Sequence, residues 1–177
     1  SESELNKLDA QVGDGDTGST FAAGARQIQR ECADNQLPLN VLPDLLAVTG
    51  ERLATVMGGS SGVLMAIFFT AAAQHLSEGD DLPIALQQGL EKMKQYGGAK
   101  PGDRTLIDAL QPAIEALVAG KSLAAAADAA QHGSDATASM GKAKAGRSSY
   151  LNSANLNGVP DPGAVAVASV FAALKTL

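Results

Sequence analysis

Apolar positions recur along this chain at intervals of three and four residues, and no segment alternates with a period of two. Helices are therefore predicted throughout. Phe21, Ala25, Ile28 and Cys32 form a stripe over residues 17–33. A second helix is expected over 41–56, with Asn40 as N-cap and Pro43 in its first turn. A third follows the Gly58–Gly62 turn and ends near His75. Val63, Leu64, Met65, Ile67, Phe68 and Phe69 make it apolar nearly all round, the mark of a central, buried helix. Residues 83–96 form a fourth. A fifth starts at Asp103, with Leu106, Leu110, Ile114 and Leu117 at helical spacing, and is kinked by Pro112. Two Ala-rich helices are expected over 121–131 and 134–142. The last starts at Asp161-Pro162, an N-cap followed by Pro at the first helical position, and runs to the C-terminus. The opening Ser1–Leu5 reads as the last turns of a helix cut short. The sum is an all-α chain, an up-and-down bundle or barrel with short Gly-rich loops and a single domain over 1–177.

Composition agrees. The hydrophobic fraction of the 177 residues is 45%, yet aromatics supply only 3% and there is no Trp. Ala-rich, aromatic-poor chains favour close-packed helices over strands. The net charge of −6 makes the chain a poor candidate for non-specific nucleic-acid binding, which needs a basic face. An anionic nucleotide can still be held if the site brings cations or helix N-termini. A single Cys32 forms no internal disulfide and fits a reduced, cytoplasmic setting. The longest apolar run, Val63 to Ala73, is too short to span a bilayer, and no signal peptide is visible. With no initiator Met, the chain is expected to be a fragment of a longer polypeptide.

The loops carry the unusual residues. Leu8-Asp9 and Gly13-Asp14-Gly15-Asp16-Thr17-Gly18-Ser19-Thr20 place three carboxylates within eight residues. Clustered carboxylates repel one another unless a cation neutralises them, and hard oxygen ligands suit Mg²⁺ or Ca²⁺. An EF-hand fails in both registers, because the twelfth position falls on Ala25 or Thr20 instead of Glu. Spacing alone equally admits a solvated acidic turn, with Asp16 or Thr17 capping the helix over 17–33. The hydroxyls and free backbone N–H groups of Thr17–Thr20 favour phosphate at that helix start. Metal beside phosphate is the arrangement that phosphoryl transfer needs.

Gly58-Gly59-Ser60-Ser61-Gly62 holds more Gly and Ser than a tight turn requires. In Tyr96-Gly97-Gly98-Ala-Lys100-Pro101-Gly102-Asp103-Arg104-Thr105, a Pro-Gly turn with Asp103 as helix cap explains the second half but not Gly97 and Gly98. Lys142, Lys144 and Arg147 flank Ser148 and Ser149, either facing phosphates or forming a solvated basic turn. Asp161-Pro162-Gly163 alone is an ordinary helix start. No Walker A or Rossmann pattern occurs. His75 and His132 read as surface or helix-end residues and Cys32 as core, which leaves no nucleophile or general base.

In that order, these motifs resemble the nucleotide-binding (C-terminal, L-type) domain of dihydroxyacetone kinases, most nearly that of bacterial single-chain, ATP-dependent enzymes. Gly146-Arg147-Ser148-Ser149-Tyr150-Leu151 joins the others, so the likeness covers nearly the whole chain. The resemblance implies an eight-helix antiparallel up-and-down barrel, first helix truncated, with nucleotide at one rim. It implies ATP or ADP and two Mg²⁺ ions on Asp9, Asp14 and Asp16. Thr17, Gly18, Ser19, Thr20, Ser60, Ser61, Gly97, Thr105, Leu106, Arg147, Asp161, Pro162 and Gly163 would contact the nucleotide. It implies a partner domain holding dihydroxyacetone through a His, in the same chain or another subunit, and a homodimer of the full-length enzyme. A phosphotransferase-system-coupled branch often carries Asp-Ala-Asp-His where this chain has Asp14-Gly15-Asp16-Thr17, so the ATP-using branch is favoured. A fatty-acid kinase-type domain with lipid in the barrel, and a non-catalytic nucleotide-sensing module, stay open as alternatives.

Overall fold

The predicted helices form. The computed structural model describes residues 2–144, 147–150 and 156–176, without the side chains at 147 and 148. Among the described residues there are eight α-helices and no strand, in keeping with the all-α expectation. They are α1 (Glu2–Val12), α2 (Thr17–Ala33), α3 (Leu42–Val56), α4 (Gly59–Ser77), α5 (Leu82–Gly97), α6 (Ile107–Val118), α7 (Leu123–Ala136) and α8 (Pro162–Leu174). Short 3₁₀ turns cover Thr137–Ser139 and Arg147–Tyr150. The chain divides into two compact units: Ser1–Ser19 with Gly98–Leu177, and Thr20–Gly97. None of the described helices is long and apolar enough to cross a membrane.

In the second unit, α4 packs against both α3 and α5. Small residues allow the close approach: a Cβ on Gly50 of α3 would come 3.2 Å from the Ala66 carbonyl oxygen. On α2 the inward residue is Gly24, where a Cβ would press to 2.7 Å from Leu53 Cδ2. The inward face of α2 is thus set by Gly24 and Glu31, one position off the expected stripe, and both Ala25 and Cys32 are exposed. Buried Glu31 is compensated by Arg52 of α3, whose Nε donates to both carboxylate oxygens at 2.7 and 3.0 Å. Two boundaries also move. Val41, not Asn40, is the N-cap of α3, with no side-chain hydrogen bond. α4 starts at Gly59, inside the expected turn, and its Val63 faces outward.

In the first unit, α6 packs on α7 and α8, α7 on α8, and α1 on α8. The contact residues are mainly Ala, including Ala109, Ala113, Ala126, Ala130 and Ala164, all fully buried. The expected break between helices over 121–131 and 134–142 is absent: α7 continues through Gly133 to Ala136, and beyond it only Thr137–Ser139 is helical, as a 3₁₀ turn. Gly133 is a packing residue and not a stop. A Cβ there would collide with the carbonyl oxygen of Asp108 on α6. Pro112 lies four residues beyond Asp108 and has no N–H to offer that carbonyl. The proline thus vacates the carbonyl on which the glycine settles. α6 runs on both sides of Pro112, and it begins at Ile107 instead of Asp103. Val12, at the end of α1, is sealed by Ala143, Leu156 and Val159, which anchors α1 to the segments before α8.

Gly133→Ala should destabilise the chain by about 2–3 kcal/mol from backbone overpacking, although Ala gains up to about 1 kcal/mol in helix propensity. Urea unfolding measures the sum. A variant as stable as the parent would contradict the Gly133–Asp108 contact.

Candidate metal centre and the loops around it

Asp9 lies on the last turn of α1, not in the loop that follows it. Glu2, Asn6 and Asp9 share one face of that helix, at spacings of four and three. All three meet the start of α2. Asp9 Oδ2 accepts the backbone N–H groups of Asp16 (2.9 Å) and Thr17 (3.1 Å). Asn6 Oδ1 accepts the Ser19 N–H at 3.0 Å, and Asn6 Nδ2 donates to Ser19 Oγ at 2.9 Å. Gly18 sits against the Glu2 carbonyl, where a Cβ would collide. The first turn of α2 is therefore capped from α1, and not by Asp16 or Thr17 themselves. The amides of Thr17 and Ser19, expected to be open to phosphate, are already engaged.

The linking turn, Gly13 to Asp16, follows from this. A Cβ on Gly13 would strike Asp9 Oδ1, and Gly15 adopts φ 80°, a left-handed conformation natural to glycine. The turn folds back over Asp9. One carboxylate oxygen from each of Asp9, Asp14 and Asp16 then lies within 4.8 Å of the others. Asp9 is buried; Asp14 and Asp16 are exposed. Oxygens bound to one Mg²⁺ at about 2.1 Å stand at most about 4.2 Å apart, a span that the two exposed side chains reach by small rotations. An all-oxygen, triply anionic donor set suits such a hard cation.

The other expected site residues fall into groups. Ser60 and Ser61 occupy the first turn of α4, whose N-cap Gly58 makes no side-chain hydrogen bond. Gly97 ends α5, where its missing Cβ leaves room for Leu64 at 3.0 Å. These three, with Thr20, belong to the second unit. Thr105, Leu106, Asp161, Pro162 and Gly163 belong to the first unit and come together there. A Cβ on Gly163 would stand 3.3 Å from Leu106 Cβ. The side chain of Arg147, and Gly146 and Leu151, lie outside the described residues.

The Thr105 loop is not held by Asp103 as a helix cap. Asp108, on the first turn of α6, accepts the N–H groups of Gly102 (2.6 Å) and Thr105 (2.7 Å). Asp103 instead accepts Lys100 N–H at 2.9 Å, its carbonyl accepts Lys144 N–H at 3.1 Å, and the Lys144 ammonium lies 3.3 Å from Asp103 Oδ1. Asp161 does cap α8, as expected, accepting the Ala164 N–H at 2.8 Å. Its own N–H donates to Thr137 Oγ1 at 2.7 Å. Burial pushes the Asp161 carboxyl up to about 6, while the Ala164 amide and the Arg104 guanidinium pull the other way.

Sequence reasoning missed Asn6, Asp108 and Arg104. An Asn three residues before Asp9 is a faint helical signal for a second cap. Nothing in the sequence distinguishes buried Arg104 from a solvated cation.

Residues 11–176 match the family described as DAK2 domain. The chain is 60% identical over 174 residues to the dihydroxyacetone kinase of Citrobacter freundii, covering 98% of this chain and 32% of that protein. It is 43% identical over 184 residues to triokinase/FMN cyclase of Homo sapiens, again covering 98% of this chain and 32% of the relative. The crystal structure of the C. freundii kinase in its native form superposes with a TM-score of 0.88 at 56% identity, over 99% of this chain and 31% of that one. The same enzyme in complex with AMP-PNP and Mg²⁺ gives 0.85 at 55% identity, over 99% and 30%. The chain thus spans about a third of the length of these relatives.

Asp9→Ala should lower stability by about 1–2 kcal/mol through loss of a charged cap, whereas Asp16→Asn should stay within about 0.5 kcal/mol of the parent. Chemical denaturation of both variants checks this, and equal losses would count against the cap. For Asp161, the carboxyl is raised from 3.8 to about 6 in the fold. Its favourable contribution is therefore full below about 3.8 and lost as pH rises through about 6. Asp161→Asn keeps an N-cap acceptor, so from pH 4 to 7 the variant should gain roughly 2–3 kcal/mol relative to the parent. Urea titrations at several pH values give that difference directly. A constant difference would contradict the assignment.

Proposed function

Because the chain belongs to the DAK2 domain family, we propose that it holds the magnesium nucleotide of a dihydroxyacetone kinase, as the nucleotide-binding domain of a longer enzyme. The observation that carries this reading is the convergence of Asp9, Asp14 and Asp16 within 4.8 Å. The relative that is 60% identical is named dihydroxyacetone kinase, and one of its structures is described as a complex with AMP-PNP and Mg²⁺. Asp9, Asp14 and Asp16 would hold two Mg²⁺ ions, which when bound neutralise charge on the phosphates.

The chain's own residues bind and orient. Asp9 keeps the turn folded through Oδ2, while Asp14 and Asp16 present exposed carboxylates to cations. Thr17 and Ser19 offer hydroxyls at a helix start whose amides are partly used. Thr105, Leu106 and the Asp161–Gly163 turn form a wall beside the base or ribose. The acceptor, dihydroxyacetone, is assigned to the part of the enzyme that this chain does not cover. Relatives named triokinase share the same segment at 43–44% identity, in support of acceptor choice being made elsewhere. Gly15 at φ 80° supports the ATP-using branch, because alanine rarely adopts the conformation of this Asp-Gly-Asp turn.

Asp16→Asn should weaken Mg-ATP binding by roughly 100-fold, about 2.7 kcal/mol, with the fold intact. Calorimetry on parent and variant decides, and equal affinities would sink the metal assignment.

A further inference from the structure

Among the described residues, Arg104 is the one buried cation whose surroundings the site does not yet explain. It is 1% exposed and adopts φ 62°, a left-handed backbone that an arginine rarely takes. Its Nη2 donates to the Val159 carbonyl at 2.7 Å, and its Nη1 stands 4.0 Å from Asp161 Oδ1. Among the described residues, neither Nε nor Nη1 has a hydrogen-bond partner. A strained backbone and an incompletely satisfied buried guanidinium both cost stability. Good packing alone would be served better by an apolar side chain.

What this geometry does achieve is a link. Asp103 and Arg104 are adjacent, and they hold different segments. Asp103 takes Lys144 through its carbonyl and its carboxylate. Arg104 takes Val159 and faces Asp161, across 55 residues of sequence. The next residues after Arg104 are Thr105 and Leu106, and Leu106 is the residue that meets Gly163.

We propose that Arg104 is a positioning residue for nucleotide binding, clamping the Thr105–Leu106 loop to the Val159–Gly163 turn so that both present one fixed wall. This rests on the nucleotide reading above. The groups that face the clamp are Asp161 at the start of α8, Asp108 on α6, and Thr137 after α7, whose Oγ1 accepts the Asp161 N–H. Arg104 touches no ligand in this assignment. It acts through the two loops it joins.

The test uses the 177-residue chain with Arg104→Met, which keeps the stem and removes every donor, and Arg104→Lys, which keeps a charge and a donor. Calorimetry gives affinities for Mg-ATP and, separately, for Mn²⁺ alone. The Met variant should bind Mg-ATP at least tenfold more weakly while its Mn²⁺ affinity stays within twofold of the parent. The Lys variant should recover part of the Mg-ATP loss. Amide hydrogen exchange should quicken at 158–164 and not in α1. A merely structural role would lower the melting temperature and leave the affinity of the folded chain unchanged. Parent-like Mg-ATP affinity in the Met variant, equal losses for Mg-ATP and Mn²⁺, or unfolding of both variants would overturn the clamp. If the parent itself bound no Mg-ATP, the nucleotide reading would fail on its own. Exchange at 158–164 in the ligand-free chain would then judge the clamp, and unchanged rates in the Met variant would overturn it.

Discussion

The candidate site depends on one interaction, the acceptance of the Asp16 and Thr17 amides by Asp9 Oδ2. An exposed turn with two more carboxylates would otherwise spread under its own repulsion. The cap draws it down onto α1, because a carboxylate at a helix N-terminus meets unsatisfied amides and the positive end of the helix dipole. Asn6 and the close approach at Gly18 extend the same contact by one turn. The charge that would bind a metal is thus part of what folds the turn.

The first unit repeats this device. Asp108 gathers the amides of Gly102 and Thr105, and Asp161 takes that of Ala164. In each case a carboxylate near a helix end satisfies backbone groups that a short loop cannot pair internally. Much of the chain's acidity at these loops is therefore structural, and net charge alone is a poor guide to ligand binding here. Arg104 is the counterpart of opposite sign, because it binds a carbonyl where the aspartates bind amides.

The helices were legible in the sequence because periodicity reports burial directly, and seven of the boundaries at α2, α4, α5 and α8 fall within about three residues of expectation. The errors share a cause. Gly133 reads as a break between two helices when taken alone; with Pro112, whose missing N–H leaves the Asp108 carbonyl open, it makes one contact between α6 and α7, which no one-dimensional pattern contains. Asn40 and Asp103 have the right chemistry for caps, yet tertiary contacts gave the loops at Asp103 other partners. At the site, the Asp9–Asp14–Asp16 cluster was legible from composition and spacing. The capping of α2 by Asp9 and Asn6 was not, because it needs the face of α1 that only the folded chain defines.

Phosphoryl transfer asks a protein mainly for positioning and charge, with little covalent chemistry of its own. The described residues fit that demand better than they fit acid–base catalysis. Asp161, the carboxyl that burial raises to about 6, spends an oxygen on a helix cap and faces a guanidinium. His75 is tied to Asp80 at the exposed end of α4, 2.9 Å away. Each is already engaged within its own unit, one in an ion pair and the other in a helix cap. Under the proposed reading this is the expected division of labour. A domain that holds the donor needs fixed loops and a neutralising cation, while activation of an alcohol belongs where the alcohol is held.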